Sequence, residues 1–224
     1  MGMTVDELVN VYPRLYHMAT SGAWPSIQKH GLRTTCHLVE TSGLPIADQD
    51  ALLHARRPKS TVIDHPEYGK ITIRDQAPLR EDNLAACLSD MTVVEWLQTL
   101  NDRVFFWLHP DRLSKLLNAR LYRGREHDVL VVDTRSLVEA YYDRIRLSPV
   151  NSGATIFPNP ATRGSTTFQP IGQYPFSERR KGRTLANAVT ELAVVGGAPD
   201  LAEHVTRVDR FVGPQSVAQL FPLD

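Results

Sequence analysis

The amino-acid sequence predicts an α+β fold built from short helices and strands in irregular order. Helix-like and strand-like segments follow one another without the regular βαβ rhythm that a doubly wound parallel sheet requires. With 224 residues and 25.1 kDa, the chain can bury about 70% of its unfolded surface, enough for a core without disulfides or metals. We therefore expect one domain spanning residues 1–224.

Capping and periodicity signals predict the helices. Thr-Val-Asp-Glu at residues 4–7 and Thr-Val-Val-Glu at 92–95 are capping boxes, in which the first and last side chains each bond the other's backbone N–H. Gly31 follows apolar Trp24 and Ile27 and is well placed just past the end of a helix. In order, short helices are predicted at residues 4–12, 24–30, 48–57, 92–100 and 110–121, and from Asp133 or Thr134.

Short apolar runs and period-two alternation predict the strands. The run at 128–132 has the strongest central-strand pattern, and the aromatic run at 103–107 should also be buried. Pro, Gly, Ser, Thr and Asn dominate residues 148–185, so a long loop is expected there, and ordered long loops tend to carry function. Strands are predicted at residues 14–18, 61–63, 70–74, 103–107, 128–132, 144–147, 190–195 and 203–212.

Charge, cysteine content and missing motifs disfavour several classes of protein. The 25 basic and 25 acidic residues cancel, so the whole chain exerts no net electrostatic pull on nucleic acid, although a local patch can. Cys36 and Cys87 lack metal-ligand spacing, and no Walker loop, Gly-x-Ser-x-Gly elbow or His-Glu-x-x-His motif occurs. No stretch of the sequence resembles a signal peptide, and no apolar run reaches about 18 residues. We therefore expect a cytoplasmic protein without membrane contact.

Three polar residues interrupt otherwise apolar strands: His17, Arg103 and Glu191. An unpaired charge in such a setting costs several kcal/mol unless a partner or a solvent-filled cleft compensates it. Each residue also has an ordinary interpretation. Alternation allows Glu191 to face water. A histidine such as His17 is more often structural, and a lone arginine such as Arg103 more often forms a salt bridge. The residues alone leave both interpretations open.

The order of these segments resembles a known family. Residues 15–19 (LYHMA) and 24–32 (WPSIQKHGL) are similar to the first motif of ADP-ribosyltransferase-fold proteins, especially a bacterial subgroup of the DarT-like group. The aromatic strand at 103–107 is similar to the second motif. Glu191 lies late in the chain on a strand, where the family carries its catalytic glutamate. The chain departs from the pattern at Ala19, where the family often has threonine.

The resemblance implies an ADP-ribosyltransferase-like fold, with a central split antiparallel or mixed β-sheet and short flanking helices. It implies an NAD-dependent mono-ADP-ribosyltransferase that uses NAD as a substrate and needs no metal. Glu191 would stabilise the oxocarbenium-like state formed when nicotinamide leaves ribose, as carboxylates do in sugar hydrolysis.

The resemblance also implies roles around NAD. His17 would hydrogen-bond the adenosine-side ribose, and the planar fork of an arginine would pair two pyrophosphate oxygens. Arg33, Arg74 and Arg103 are the candidates for the pyrophosphate contact. Phe105, Phe106 and Trp107 are the candidates for stacking on nicotinamide. The catalytic candidates are Glu191 and Arg103, and the NAD-binding candidates are His17, Met18, Ala19, Arg33, Arg74, Arg103, Phe105, Phe106 and Trp107.

The long loop corresponds to the segment with which this family reads its acceptor. The implied acceptor is a base of DNA or RNA, with a protein or small molecule as the second choice. The basic run at 178–183 would contact phosphates, the alternative being a solvated loop. The acceptor-binding candidates are Asn151, Ser152, Tyr174, Phe176, Arg179 and Arg180.

A DarT-like enzyme would be a toxin or defence protein with a neutralising partner protein. Two other functions remain open at this point. One is a non-catalytic module of the same fold that binds a nucleotide or nucleic acid. The other is a related NAD-consuming activity, either NAD glycohydrolysis or phosphate transfer from RNA to NAD.

Overall fold

The computed structural model describes residues 2–222, which form a large sheet, a separate hairpin and short flanking helices. The helices are α1 Val5–Val11, α2 Trp24–His30, α3 Thr35–Glu40, α4 Ile46–His54, α5 Glu81–Cys87, α6 Val93–Asn101, α7 Pro110–Leu117, α8 Thr134–Tyr141, α9 Phe176–Arg180 and α10 Leu185–Ala188. The strands are β1 Arg14–Thr20, β2 Thr61–His65, β3 Gly69–Ile73, β4 Arg103–Trp107, β5 Glu126–Asp133, β6 Ile145–Ser148, β7 Glu191–Val195, β8 Val205–Val212 and β9 Gln215–Phe221.

The large sheet has the strand order β6-β7-β4-β1-β5-β8-β9, and all its described ladders are antiparallel. The expected α+β fold is therefore confirmed, with an antiparallel rather than a mixed sheet. Within residues 2–222, β1 and β4 share the single register pair Tyr16↔Trp107, whereas β1 and β5 pair along the whole of β1. The sheet is thus weakly joined at its middle, between β4 and β1.

The main hydrophobic core covers one face of this sheet. Leu15 on β1, Phe106 on β4 and Leu192 on β7 point into it, and α1 and α8 pack nearby. Smaller clusters lie on the other face, one around Trp96 of α6 and one around Leu113 of α7. Because successive strand side chains alternate between the two faces, His17 lies on the same face of the sheet as Leu15, whereas Glu191 lies on the face opposite to Leu192.

Elements with a strong local signal agree with the sequence prediction. Both capping boxes form, at Thr4 with Glu7 and at Thr92 with Glu95. Asp133 is the N-cap of α8 and accepts the backbone N–H of Ser136. The prediction missed α3, α5, α9, α10 and β9, and the leucine-rich helix ends at Leu117 rather than at residue 121.

Gly31 ends α2 with a φ of 74° and a backbone bond to the carbonyl of Ile27. A Cβ there would lie 2.1 Å from the carbonyl oxygen of Pro199, so only glycine fits. The close approach joins α2 to the segment after β7 through the Leu32↔Ala198 bridge. Among residues 2–222, no helix has the length and apolar character needed to cross a membrane.

Candidate functional site

A cavity of about 490 Å³ lies where β1 and β4 part, and we call it the main cavity. Its walls come from both halves of the sheet, from the turn after β1, from the β2–β3 hairpin and from the start of the long loop. His17, on β1, and Glu191, on β7, both line it. These residues are 174 positions apart in the chain, and the fold brings them to one cleft.

His17 is held in the gap between the two strands. Its Nδ1 lies 2.9 Å from the carbonyl oxygen of Phe105. Because a carbonyl can only accept, Nδ1 carries the proton and Nε2 is left as an acceptor. Burial lowers the pKa of His17 to about 4 with a contribution from the charge of Arg74, against the opposing effect of the Phe105 hydrogen bond. The imidazole is therefore neutral at physiological pH.

Glu191 is 4% exposed, so the solvent-facing interpretation of this carboxylate is wrong. Its Oε2 accepts hydrogen bonds from the backbone N–H of Ser152, at 3.1 Å, and from the Ser152 hydroxyl, at 2.7 Å. Burial raises the pKa of Glu191 to about 7, although both Ser152 bonds and two arginines lower it. A carboxyl that titrates near neutrality beside a cavity is typical of functional sites.

Arg163 organises the loop that reaches Glu191, and the sequence prediction missed it. Its guanidinium is buried and donates to the carbonyls of Asn151, Ala154 and Ala161 at 2.7–2.9 Å. This clamp fixes the turn that presents Ser152. One signal was available: Arg163 is the single charged residue between Arg146 and Glu178.

The arginines that act on Glu191 are Arg163 and Arg112, both of which lower its pKa. Arg112 is anchored on α10 by bonds to the Ala186 carbonyl and the Asn187 side chain. Arg103 also borders the main cavity, but its Nη1 donates to the Thr99 carbonyl and its guanidinium lies 5.1 Å from the Phe168 ring centroid. The geometry thus gives Arg103 an anchoring contact instead of one with Glu191.

Arg74 and Arg33 border the main cavity from the side of the hairpin and of α2. Arg74 Nη1 donates to the Met18 carbonyl at 2.7 Å, and the guanidinium lies 5.3 Å from the Tyr122 ring centroid. Arg33 Nε donates to the His30 carbonyl, and its guanidinium lies 6.0 Å from the ring centroid of Tyr68. Each guanidinium keeps further N–H groups for a ligand.

The aromatic residues of β4 divide between the two faces. Phe106 borders the main cavity but is 1% exposed and packs in the main core behind the His17 ring, so its expected stacking on a ligand is corrected to a supporting role. Phe105 and Trp107 are half-buried on the other face and line the main cavity. Met18 and Ala19 are buried neighbours of His17 that also border it.

The acceptor-binding candidates separate into three places. Asn151 and Ser152 line the main cavity. Tyr174 is fully buried in the main core and its hydroxyl donates to the Ala188 carbonyl, so the expected stacking of this ring on a base is wrong. Phe176 packs partly buried against the same core. Arg179 and Arg180 lie on α9, outside the lining of the main cavity.

Within residues 2–222, the structure contains no group of three or more His, Cys, Asp or Glu side chains that could hold a metal ion.

Comparison with known proteins gives a family match. No curated protein matches the sequence. A family described as a family of unknown function, DUF7002, matches residues 13–205, which include β1 with His17 and β7 with Glu191. The chain belongs to the DUF7002 family.

Proposed function

We propose that this chain is an NAD-dependent mono-ADP-ribosyltransferase with an ADP-ribosyltransferase-like fold, acting on a nucleic-acid base. The observation that carries the proposal is the cavity shared by a neutral imidazole, His17, and a buried carboxyl, Glu191. The parting of β1 and β4 supports the split sheet that the DarT-like resemblance implies. The cavity volume of about 490 Å³ falls within the range of small-molecule sites.

NAD would lie across the parting of the sheet, with its ribose groups between His17 and Glu191. The unprotonated Nε2 of His17 would accept a hydrogen bond from a ribose hydroxyl. Arg33 and Arg74 would donate their free N–H groups to the pyrophosphate, since guanidinium groups pair two oxygens at once. Phe105 and Trp107 offer half-buried ring surface for nicotinamide.

The reaction breaks the bond between nicotinamide N1 and ribose C1′. The bonding electron pair stays with nicotinamide, which leaves neutral, and positive charge develops on the ribose ring. Ionised Glu191 stabilises that charge from a buried position, where a fixed carboxylate acts strongly. An acceptor nitrogen then donates its lone pair to C1′ and releases a proton, which the Glu191 carboxylate can take because its pKa is about 7.

The direct test is incubation with NAD and measurement of nicotinamide release and acceptor mass. Single-stranded DNA, RNA, denatured protein and buffer alone serve as acceptors. We expect nicotinamide release to rise with one nucleic acid, which gains the mass of ADP-ribose. Release without any mass gain would instead show an NAD glycohydrolase. NAD binding without release in any arm would show a non-catalytic binding module, and absence of both would contradict the proposal.

The rate should depend on pH through the ionisation of Glu191. We expect kcat/KM for nicotinamide release to rise with pH through about 7, because the charged carboxylate is the active form. His17, whose pKa is lowered to about 4, is neutral across this range and adds no inflection there. A flat profile between pH 6 and 8 would contradict the assignment of Glu191.

Replacing Ser152 with alanine should move this inflection upward by about one pH unit, since the hydroxyl stabilises the charged form of Glu191. The matched control is Ser177→Ala, at an exposed serine on α9. Equal profiles for Ser152→Ala and Ser177→Ala would show that the Ser152 hydroxyl does not tune Glu191.

A further inference from the structure

A second, smaller cavity lies behind the loop that presents Ser152. It has a volume of about 170 Å³, and we call it the side pocket. Arg163 on the loop and Arg179 on α9 line it, together with Ser89, Thr162, Thr166 and Gln169. One water needs roughly 15 Å³ of such space, so a group of phosphate size can enter with accompanying water.

The lining of the side pocket carries positive charge and no carboxylate. Of its ten lining residues, two are arginines and, within the part of the chain described, none is Asp or Glu. Asp90, which follows Ser89, is bound to the backbone N–H and hydroxyl of Ser165 and does not line the pocket. An oxyanion would therefore enter without facing a lining carboxylate.

Two polar atoms beside the side pocket, one donor and one acceptor, lack hydrogen-bond partners. Arg163 Nε and Gln169 Oε1 are buried without hydrogen-bond partners among residues 2–222. The half-buried Arg179 on α9 also borders the pocket. A buried donor without a partner is costly, and an anion accepting from Arg163 Nε would remove that cost. Rotation of the Gln169 amide would turn its NH₂ group toward the same ligand.

Arg163 connects the two cavities. The guanidinium whose Nε has no partner also holds the carbonyls of Asn151 and Ala154, in the turn that borders the main cavity. A group bound in the side pocket therefore lies one side chain away from the loop that contacts Glu191.

We propose that the side pocket binds a phosphate group of the nucleic-acid acceptor through Arg163 and Arg179. The identity of the acceptor rests on the proposed function, whereas the binding of phosphate does not. An acceptor anchored there would have its sugar-phosphate chain held at the side pocket while a neighbouring base reaches the main cavity. Arg163 would donate its Nε–H alone, because its Nη1 and Nη2 groups already donate to loop carbonyls, and Arg179 would supply the second guanidinium contact to the phosphate.

The test measures binding in the absence of NAD, by calorimetric titration with inorganic phosphate and with the deoxydinucleotide TpT, which carries one internal phosphodiester. Thymidine, which has no phosphate, is the negative ligand. We expect saturable binding of phosphate and of TpT, competition between them, and no binding of thymidine. Arg179→Gln should weaken both affinities by about tenfold, the loss expected for one charge-assisted contact.

The matched control is Arg180→Gln, which removes the same charge from the next residue of α9, outside the side pocket. Equal phosphate affinities of Arg179→Gln and Arg180→Gln would overturn the proposed site, because the loss would then depend only on surface charge. Phosphate binding without competition from TpT would overturn the acceptor assignment. Titration with NAD alone separates the two proposals: the Kd for NAD should be the same for Arg179→Gln and the parent, and a Kd for NAD that rises about tenfold in Arg179→Gln would assign the pocket to NAD.

Discussion

Replacing Glu191 with glutamine is expected to lower nicotinamide release by roughly 10²–10³-fold, the loss typical of removing one preorganised electrostatic group. Glutamine keeps the size of the side chain and an oxygen that can accept from the Ser152 N–H and hydroxyl. The variant therefore removes the charge that stabilises the ribose cation while it preserves the local contacts. Nicotinamide release and NAD affinity should be measured together, because binding is expected to survive.

The same substitution should make the protein more stable at alkaline pH. The folded-state pKa of Glu191, about 7, lies above its unfolded value of 4.5. The folded state therefore binds this proton more tightly, and stability falls as pH rises between those two values. The loss amounts to about 3 kcal/mol above pH 7. Glu191→Gln has no charge to bury, so we expect it to be more stable by about 2 kcal/mol at pH 8.

Urea unfolding at pH 5 and at pH 8 measures this difference. The control is Glu203→Gln, at an exposed glutamate in the turn before β8, which should change stability little at either pH. A Glu191→Gln protein less stable than the parent at pH 8 would contradict the burial cost. Full retention of nicotinamide release would contradict the catalytic role of Glu191.

The largest loss of stability is expected from Asp128→Asn. Asp128 is fully buried on β5, where its Oδ2 accepts the backbone N–H groups of Gly22 and Trp24. Its Oδ1 lies 3.0 Å from both Nε and Nη2 of Arg210 on β8. Asparagine has one acceptor oxygen instead of two, so donors on one side lose their partner. We expect a loss of about 3 kcal/mol.

Glu126→Gln is the matched control, because Glu126 is 54% exposed and lies 3.9 Å from the same Arg210. Its loss should stay below about 1 kcal/mol, as for other surface pairs. Equal losses for Asp128→Asn and Glu126→Gln would contradict the account of the buried pair. Asp128→Asn should also raise the KM for NAD, since the turn at Gly22 borders the main cavity.

The sequence determined the elements whose signals are local. The capping boxes at Thr4 and Thr92 act within one helical turn, and both formed as predicted. The alternation in β4 likewise needs only neighbouring residues to define a buried and a partly buried face. By contrast, β9 was missed because its residues are mostly exposed and lack a clear alternation. The prediction of one domain remains a prediction.

For the site, the sequence proposed His17 and Glu191, and the tertiary structure decided what they contact. Alternation along β7 determines on which face of the sheet Glu191 lies. Whether its carboxylate is exposed to water depends on the loop that contains Ser152, which contacts it. The pKa of about 7 comes from that burial. No local sequence pattern indicates this pKa.

The roles of the arginines and of Tyr174 were likewise decided by the tertiary structure. Arg163 gains its role from carbonyls of its own loop and from the charge of Glu191. Arg179 and Arg180 are adjacent in sequence, yet only Arg179 lines the side pocket. Tyr174, a few residues before Arg179, packs its ring into the main core. Short-range order follows from neighbouring residues, whereas burial, charge pairing and cavities depend on segments that meet only after folding.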